Sequence, residues 1–237
     1  PPQASHEPIE PVIPLDDVIG QSTAKRALDV SAAGGHHLLF VGPPGTGKTM
    51  LAHRFASLLP RLSDAEALEV AAVYSAAGVA PPAPGVAPFR EPHHSASTAA
   101  IAGGGSHAMP GEISLAHAGV LFLDELPHFR PSVLDLLREP LESRTITLAR
   151  ARYRTRFPAR FQLVAAMNPC PAGRVCAPSA CRCSPESVRR YQSRISGPLL
   201  DRIDLHVPVP GIPASALLGR ERPGAPVAGI DHIQAAR

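Results

Sequence analysis

Residues 42–49 read GPPGTGKT, three glycines followed by a lysine and a hydroxyl side chain. Glycines allow backbone amides to approach phosphate oxygens closely, a lysine at position 48 reaches the β and γ oxygens of a nucleoside triphosphate, and a hydroxyl at position 49 can bind Mg²⁺. The alternative is a glycine-rich turn that binds nothing. An apolar strand pattern before the segment and a helical pattern after it favour the nucleotide-binding loop.

A second candidate lies in VLFLDE, residues 120–125, where an apolar run ends in two carboxylates. Ligands of open α/β sheets bind at the carboxyl ends of the strands. We therefore expect Asp124 to hold Mg²⁺ and Glu125 to polarise an attacking water as general base. An acidic pair after a strand is also common in turns and helix caps, but its occurrence together with the phosphate-loop pattern favours the catalytic interpretation.

Two further polar residues could complete such a site. Asn168 follows another apolar run and could orient the water between Glu125 and the γ-phosphate, although Asn before Pro is commonly a turn residue. Arg202 stands between two carboxylates in GPLLDRIDL. This pattern indicates either a local ion pair or an arginine finger for a neighbouring subunit's nucleotide, and it leaves both open.

The surrounding pattern predicts the elements that position these residues. Apolar runs predict buried strands at residues 37–42, 119–126 and 161–168, and helical patterns fall at residues 22–33, 49–59, 63–75, 131–142 and from 184 onward. Ser63 and Glu66 form a capping-box pattern. Strands that alternate with helices predict an α/β fold with a parallel sheet covered on both faces. Residues 76–118 are too long for a simple connection and are predicted to be an insertion.

Composition restricts the class of protein. The chain has 237 residues, 44% of them hydrophobic, and a net charge of +3. Arginine outnumbers lysine 21 to 2, which fits either codon bias or an anion-binding surface. No apolar run of about 18 residues and no signal peptide is evident, so we expect a soluble, cytoplasmic protein that does not contact the membrane. The proline-rich residues 1–14 predict a linker, and the absence of an initial Met suggests a fragment.

The chain resembles the ATPase core of the AAA+ magnesium-chelatase-like family, of the ComM and YifB type. The resemblance covers roughly residues 15–210. It rests on DVIGQ (17–21), GPPGTGKTMLA (42–52), FREPHHSAS (89–97), PGEISLAHAGVLFLDELPHF (110–129), LREPLE (137–142), RFPARFQLVAAMNPCP (156–171) and SGPLLDRIDLHV (196–207).

This resemblance implies ATP and Mg²⁺ as cofactors, Asn168 as sensor 1 and Arg202 as a finger that acts across subunits of a homo-oligomeric ring, expected to be a hexamer. It implies the nucleotide contacts Val18, Ile19, Gly42, Pro43, Pro44, Gly45, Thr46, Gly47, Lys48, Thr49 and Met50. Residues 76–118 resemble the family's helix-2 insert, and residues 144–160 its pre-sensor hairpin. Residues 211–237 resemble a linker and the start of a truncated helical lid, so no second sensor is assigned, and we expect an isolated fragment to hydrolyse ATP poorly.

Four cysteines lie close together in the sequence: Cys170, Cys176, Cys181 and Cys183. Four thiolates can close a tetrahedral Zn²⁺ site, and a cytosolic chain seldom forms disulfides. The one-residue gap between Cys181 and Cys183 is shorter than usual, and Ala172 stands where the resembled pattern has a cysteine. Structural zinc and free thiols both remain open.

An arginine occupies every second position from 150 to 156, and residues 146–162 contain no acidic side chain. Alternate residues of a β arm share a face, so Arg150, Arg152, Arg154 and Arg156 would form one stripe suited to the phosphates of DNA, with Tyr153 able to stack on a base. The alternative is a solvated hairpin, or one that pairs with acids of the next subunit. His93 and His94 could contact nucleic acid or a metal, although adjacent histidines in a loop are more often solvated or act as caps. For His36 and His37, just before the first strand, we expect a structural role.

Three functions remain from different classes. The first is an ATP-driven DNA motor that, by resemblance, acts as a helicase or in branch migration during recombination or natural transformation. The second is the ATPase subunit of a magnesium chelatase, which remodels a protein partner. The third is a ring component that binds nucleotide without hydrolysis. The arginine stripe favours the first over the second, and intact Lys48, Asp124 and Glu125 argue against the third.

Overall fold

The computed structural model describes residues 15–105, 108–150, 153–173 and 181–213. Its helices are α1 (Ser22–Gly34), α2 (Lys48–Leu58), α3 (Asp64–Ala77), α4 (Thr98–Ala102), α5 (Glu112–Leu115), α6 (Pro131–Leu136), α7 (Arg138–Ser143), α8 (Pro185–Gln192) and α9 (Gly197–Leu200), with 3-10 turns at Leu15–Asp17 and Leu126–His128. Its strands are β1 (Leu38–Val41), β2 (Phe89–Arg90), β3 (Gly103–Gly104), β4 (Met109–Pro110), β5 (Val120–Leu123), β6 (Thr145–Arg150), β7 (Tyr153–Pro158), β8 (Gln162–Met167) and β9 (Leu205–Pro208).

Within the described residues, five parallel strands form the central sheet in the order β2–β5–β8–β1–β9. The predicted strands 37–42, 119–126 and 161–168 are confirmed as β1, β5 and β8. The sequence pattern missed β2 and β9, which flank them. Since all five strands run the same way, the residues that follow β1, β5 and β8 lie along one edge of the sheet.

The strands are apolar on both faces because helices cover both. Leu39, Leu121 and Leu163 face one buried cluster, while Phe40 and Phe122 face another. Every residue of β8 is buried. Full burial of a side chain such as Phe40 contributes about 1.5–3 kcal/mol relative to exposure. These two cores fix the strands whose ends carry the candidate site.

Of two predictions about helices, one is confirmed and the other is wrong. The capping box at α3 is confirmed, since the Ser63 side chain accepts from the Glu66 amide and the Glu66 carboxylate accepts from the Ser63 amide. The single helix predicted at residues 131–142 is wrong, because α6 ends at Leu136 and α7 begins at Arg138. Pro140 lacks the N–H that would continue one helix, and in α7 it lies in the first turn, where no such donor is needed.

The predicted insertion at residues 76–118 contributes to the sheet as well as to its surface. It contains edge strand β2, helices α4 and α5, and the antiparallel pair β3–β4. Arg90 on β2 donates from Nε and an Nη to the two carboxylate oxygens of Glu112 on α5, at 2.6 and 2.8 Å. Within the insertion, this bidentate pair holds α5 against β2, the edge strand that pairs with β5.

The predicted hairpin at residues 144–160 is confirmed as the antiparallel pair β6–β7. Ile146 and Leu148 on one face are buried. The register pairs Arg156 with Thr147 and Arg154 with Ala149, so these four residues share the other face.

Among the described residues, no helix is long and apolar enough to span a membrane.

Candidate nucleotide-binding and hydrolysis site

The loop between β1 and α2 lies at the carboxyl edge of the sheet and is shaped by its glycines. A side-chain carbon on Gly42 would lie 2.1 Å from the carbonyl oxygen of Val209, so only glycine fits there. Gly47, the N-cap of α2, has φ of 88°, a conformation that favours glycine. The loop therefore directs the open N-terminal end of α2 outward, where backbone amides attract anions.

Lys48 lies at the centre of the site. Its ammonium group donates to the carbonyl oxygens of Gly42 at 2.7 Å and Pro43 at 2.8 Å, and to Oδ1 of Asn168 at 3.2 Å. Burial lowers the pKa of Lys48, and the negative charges of Asp124 and Glu125 oppose that shift. The structure thus brings together the predicted lysine, at the start of α2, and Asn168, at the end of β8.

The two predicted magnesium ligands are in contact. The Thr49 hydroxyl donates to Oδ2 of Asp124 at 2.7 Å, and the other Asp124 oxygen accepts from the Glu125 amide at 2.8 Å. A hydroxyl beside a carboxylate, at the mouth of an anion-binding loop, is a donor set that suits Mg²⁺ and a triphosphate. The residues present therefore fit ATP with Mg²⁺.

Glu125 leaves the strand with an unusual backbone conformation, with φ of 53° for a residue that is not glycine. Its Oε2 lies 3.0 Å from Nδ1 of His128 and 3.6 Å from Nδ1 of His94. Asp124 and Glu125 line a cavity of about 380 Å³ together with Glu91, Pro92, His93 and His94. The predicted general base therefore faces open space next to the predicted metal ligand.

The histidine pairs differ from one another in their surroundings. His93 keeps the local role expected of it, since its Nδ1 contacts Ser95 at 2.7 Å. His94 instead lies close to Glu125, which is 31 positions away in the sequence. In the other pair, His36 lies 3.7 Å from the carboxylate of Asp204, and the backbone N–H of His37 donates to the same carboxylate at 2.7 Å. Burial lowers the pKa of the His37 side chain.

Sequence reasoning missed His128 and Tyr191. His128 is three positions after Glu125, a spacing that brings side chains together in a helical turn, and this signal was present in LPHF. Tyr191 on α8 is buried, and its ring meets that of His128. Burial raises the pKa of Tyr191. No local pattern indicates Tyr191, because its contacts come from distant parts of the chain.

Arg202 is paired within its own chain. Its guanidinium donates to the carboxylate of Glu142 and to the carbonyl of Pro198. The neighbouring Asp204 instead accepts from the backbone of His37. Among the described contacts, Arg202 forms an ion pair with Glu142 on α7 and not with either of the flanking carboxylates, Asp201 and Asp204. The role of Arg202 across a subunit boundary stays a prediction.

The segment at residues 17–21 lies against the phosphate-binding loop. Gln21 donates from its side-chain amide to the carbonyls of Thr46 at 3.3 Å and Pro210 at 2.7 Å. Val18 is buried in the core, Ile19 is half-buried, and Met50 is 38% exposed. This placement is compatible with the adenine contacts that the resemblance implies, which stay predictions.

Three of the four cysteines come together after β8. The sulphur atoms of Cys170, Cys181 and Cys183 all lie within 4.8 Å of one another. Cys170 is buried and the other two are half-buried. Cys176 lies outside the described residues. The cluster follows Asn168 directly, so it lies beside the candidate site.

The predicted stripe of four arginines is not continuous. Arg154 and Arg156 are exposed and share one face of the hairpin. Arg150 pairs with Tyr153, so its register position belongs to the face opposite to that of Arg154 and Arg156. The prediction that all four arginines share one face is therefore wrong for Arg150. Arg152 and the side chains of Arg150 and Tyr153 lie outside the described part of the chain. The turn separates Arg150 and Arg154 onto different strands, which breaks the two-residue period.

The family described as magnesium chelatase, subunit ChlI, has a sequence model that matches residues 14–217. The chain belongs to this family. Within the ChlI family it is 54% identical over 230 residues to the protein YifB of Escherichia coli (strain K12), covering 94% of this chain and 44% of that protein. It is 56% identical over 205 residues to the competence protein ComM of Haemophilus influenzae, covering 86% of this chain and 40% of ComM.

This ChlI-family chain thus spans about two fifths of the length of these relatives. The crystal structure of NtrX from Brucella abortus in complex with ATP superposes with a TM-score of 0.52, at 16% identity, over 82% of this chain and 38% of NtrX. That similarity shows the fold alone. Family and fold together identify the chain as an AAA+ P-loop ATPase core of the ComM and ChlI type.

Proposed function

We propose that this chain hydrolyses ATP with Mg²⁺ and drives a homo-oligomeric ring, expected to be a hexamer, that moves along or unwinds DNA. The observation that carries the hydrolysis is the convergence of three strand ends. The Lys48 ammonium contacts Asn168, and the Thr49 hydroxyl contacts Asp124 at the same edge of the sheet. The DNA substrate is supported by the hairpin arginines and by similarity to ComM.

Each side chain then has a distinct task in hydrolysis. Lys48 and the loop amides would bind the phosphates, and Thr49 and Asp124 would hold Mg²⁺, which would supply charge neutralisation for the triphosphate. Glu125 accepts the proton of the attacking water, and Asn168 orients that water. Both carboxylates line the cavity, but Asp124 contacts the Thr49 hydroxyl whereas Glu125 contacts His128, so the two are suited to different roles.

Arg202 acts in this proposal as the finger that reaches the nucleotide of the next subunit. A guanidinium placed there stabilises charge on the transferred phosphoryl group. Its ion pair with Glu142 is then the state of a subunit without a neighbour, and it must open when a ring assembles. Family membership and the SGPLLDRID sequence around Arg202 support this role.

DNA contact is proposed for the exposed face of the hairpin. Arg154 and Arg156 lie two positions apart on β7, with side chains on the same face and about 6.7 Å between their backbone positions. Residues 144–160 contain no acidic residue that could neutralise them. Arginine binds phosphate bidentately, so two in a row suit a repeating phosphate backbone. Arg150, on β6, and Arg152, which lies outside the described residues, are proposed to contribute further positive charge for DNA binding.

The test is binding of labelled single-stranded and branched DNA to the full-length protein with a non-hydrolysable ATP analogue. We expect Arg154→Ala with Arg156→Ala to weaken DNA binding about tenfold or more at moderate salt, because two guanidinium groups that bind phosphate are removed. The matched control removes two exposed arginines elsewhere, Arg26→Ala with Arg189→Ala, and should change binding less than about twofold. Equal weakening in both double variants would exclude the hairpin as the DNA-binding surface.

Structural zinc is proposed for the cysteine cluster, with Cys176 as the fourth ligand. Sulphur atoms of a tetrahedral zinc–thiolate site lie about 3.8 Å apart, and the three described sulphurs are already within 4.8 Å. Elemental analysis of full-length protein purified without chelator should find about one zinc ion per chain, and Cys181→Ser should lower that content and the melting temperature. Protein that contains no zinc would remove this part of the proposal.

The second candidate function is the ATPase subunit of a magnesium chelatase. It is favoured by the family match itself, which extends over residues 14–217. The hydrolysis site would be the same, and the partner would be a protein. Absence of DNA binding by an active ATPase would favour this alternative.

A further inference from the structure

The carboxylate of Glu125 is approached by two histidines from different parts of the chain. His128 belongs to the 3-10 turn that follows β5, and its Nδ1 lies 3.0 Å from Oε2 of Glu125. His94 comes from the segment after β2, and its Nδ1 lies 3.6 Å from the same oxygen. A carboxylate can only accept, so the close contact requires that Nδ1 of His128 carries the hydrogen. One Glu125 oxygen is therefore engaged by His128.

Both histidines are held by aromatic side chains. The His128 ring meets Tyr191 edge-on with centroids 6.1 Å apart, and the His94 ring meets Phe129 edge-on at 6.4 Å. The two histidine rings are themselves 5.8 Å apart. Phe129 and Tyr191 are buried, so these supports are part of the core. The imidazole of His128 is 38% exposed, and these ring contacts restrict its orientation on the side that faces the core.

Tyr191 links this arrangement to the neighbouring strand end. Burial raises the pKa of the Tyr191 hydroxyl, and the nearby backbone of Asn168, whose side chain contacts Lys48, opposes that shift. His128 therefore packs against a buried residue close to the strand end that carries Asn168.

We propose that His128 is a positioning residue for hydrolysis, with His94 in a secondary role. This inference rests on the proposed function of Glu125 as general base. The Glu125 side chain is 48% exposed and has several rotatable bonds, so without a partner it would occupy many orientations. His128 holds one oxygen, and Glu125 lines the cavity shared with Asp124, so the other oxygen is the one proposed to accept a proton from water.

The test is steady-state ATP hydrolysis by full-length His128→Ala and His128→Asn. We expect His128→Ala to lower kcat about tenfold, a smaller loss than removal of the base itself causes, with KM for ATP and nucleotide affinity within about twofold. Asn can donate from nearly the same place as Nδ1 and should restore most of kcat. His36→Ala is the matched control, because His36 lies before β1, at the edge of the sheet opposite to Glu125, and its imidazole also faces a carboxylate, that of Asp204.

A double variant separates positioning from a merely structural role. If His128 acts only through Glu125, then His128→Ala adds almost nothing to the loss caused by Glu125→Gln. A kcat for His128→Ala within twofold of the wild type, an increase in kcat, or an equal fold-loss in the Glu125→Gln background would each overturn the inference. Unimpaired hydrolysis by Glu125→Gln alone would instead show that the proposed base is wrong.

Discussion

Replacement of Glu125 by Gln is expected to lower the rate of ATP hydrolysis about 10²- to 10⁴-fold while leaving nucleotide binding intact. The substitution preserves size and leaves an oxygen that can accept from His128, but it removes the basic group. Thr49, Asp124 and Lys48 keep their contacts, and these are the residues that bind phosphate and metal in this account. Single-turnover hydrolysis and fluorescent-nucleotide binding by the full-length protein measure the two effects separately.

Glu91→Gln provides the matched control for that experiment. Glu91 lines the same cavity, but its carboxylate pairs with His53 at 3.2 Å. The change in net charge is the same, so a purely electrostatic effect would appear in both variants. We expect Glu91→Gln to retain hydrolysis within about threefold. A comparable loss in both variants would contradict the assignment of Glu125 as the base.

Arg202→Ala is expected to reduce hydrolysis by the assembled ring on the order of 10³-fold, because an arginine finger stabilises charge that develops in the transition state. Within one chain, Arg202 is held by Glu142 and is only 25% exposed. The predicted effect should therefore depend on assembly. Hydrolysis measured across a range of protein concentrations, together with the mass of the particle, links the loss to the ring.

Mixed rings decide whether Arg202 acts across subunits. Arg202→Ala supplies an intact base and Glu125→Gln supplies an intact finger, so some sites in a mixture contain both. Random one-to-one assembly through heterologous interfaces should restore about a quarter of the wild-type rate if the sites act independently. A mixture as inactive as its two components, with rings shown to exchange subunits, would indicate that Arg202 acts on its own nucleotide or only supports the fold.

Local sequence patterns predicted the parts of the site that depend on short segments. The loop of residues 42–49 needs glycine at position 42 because the backbone of Val209 is close, and at position 47 because φ is 88°. Both glycines belong to one short segment, so the pattern was recognisable in the sequence. Strands β5 and β8 are buried on both faces, so their apolar runs were recognisable. Asp124 and Asn168 followed as the first polar residues after those strands.

Other features depend on contacts between distant segments. The two-residue strand β2 is defined only by its pairing with β5, and the contact of His94 with Glu125 depends on that pairing. The ion-pair partner of Arg202 could not be predicted from the sequence, because it depends on the position of α7 in the fold. The face of the hairpin on which Arg150 lies depends on where the hairpin turns, and no glycine or asparagine in the sequence marks that turn.

The most direct test of the central claim, that the ring acts on DNA, is the salt dependence of DNA binding by the full-length protein. The account predicts tight binding that weakens with salt, and a log–log slope that becomes shallower by about one for each phosphate that the Arg154→Ala, Arg156→Ala double variant no longer binds. The Arg26→Ala with Arg189→Ala control should keep the wild-type slope. Binding that is absent, or a slope unchanged by removal of the hairpin arginines, would contradict the claim and favour a protein-remodelling ATPase.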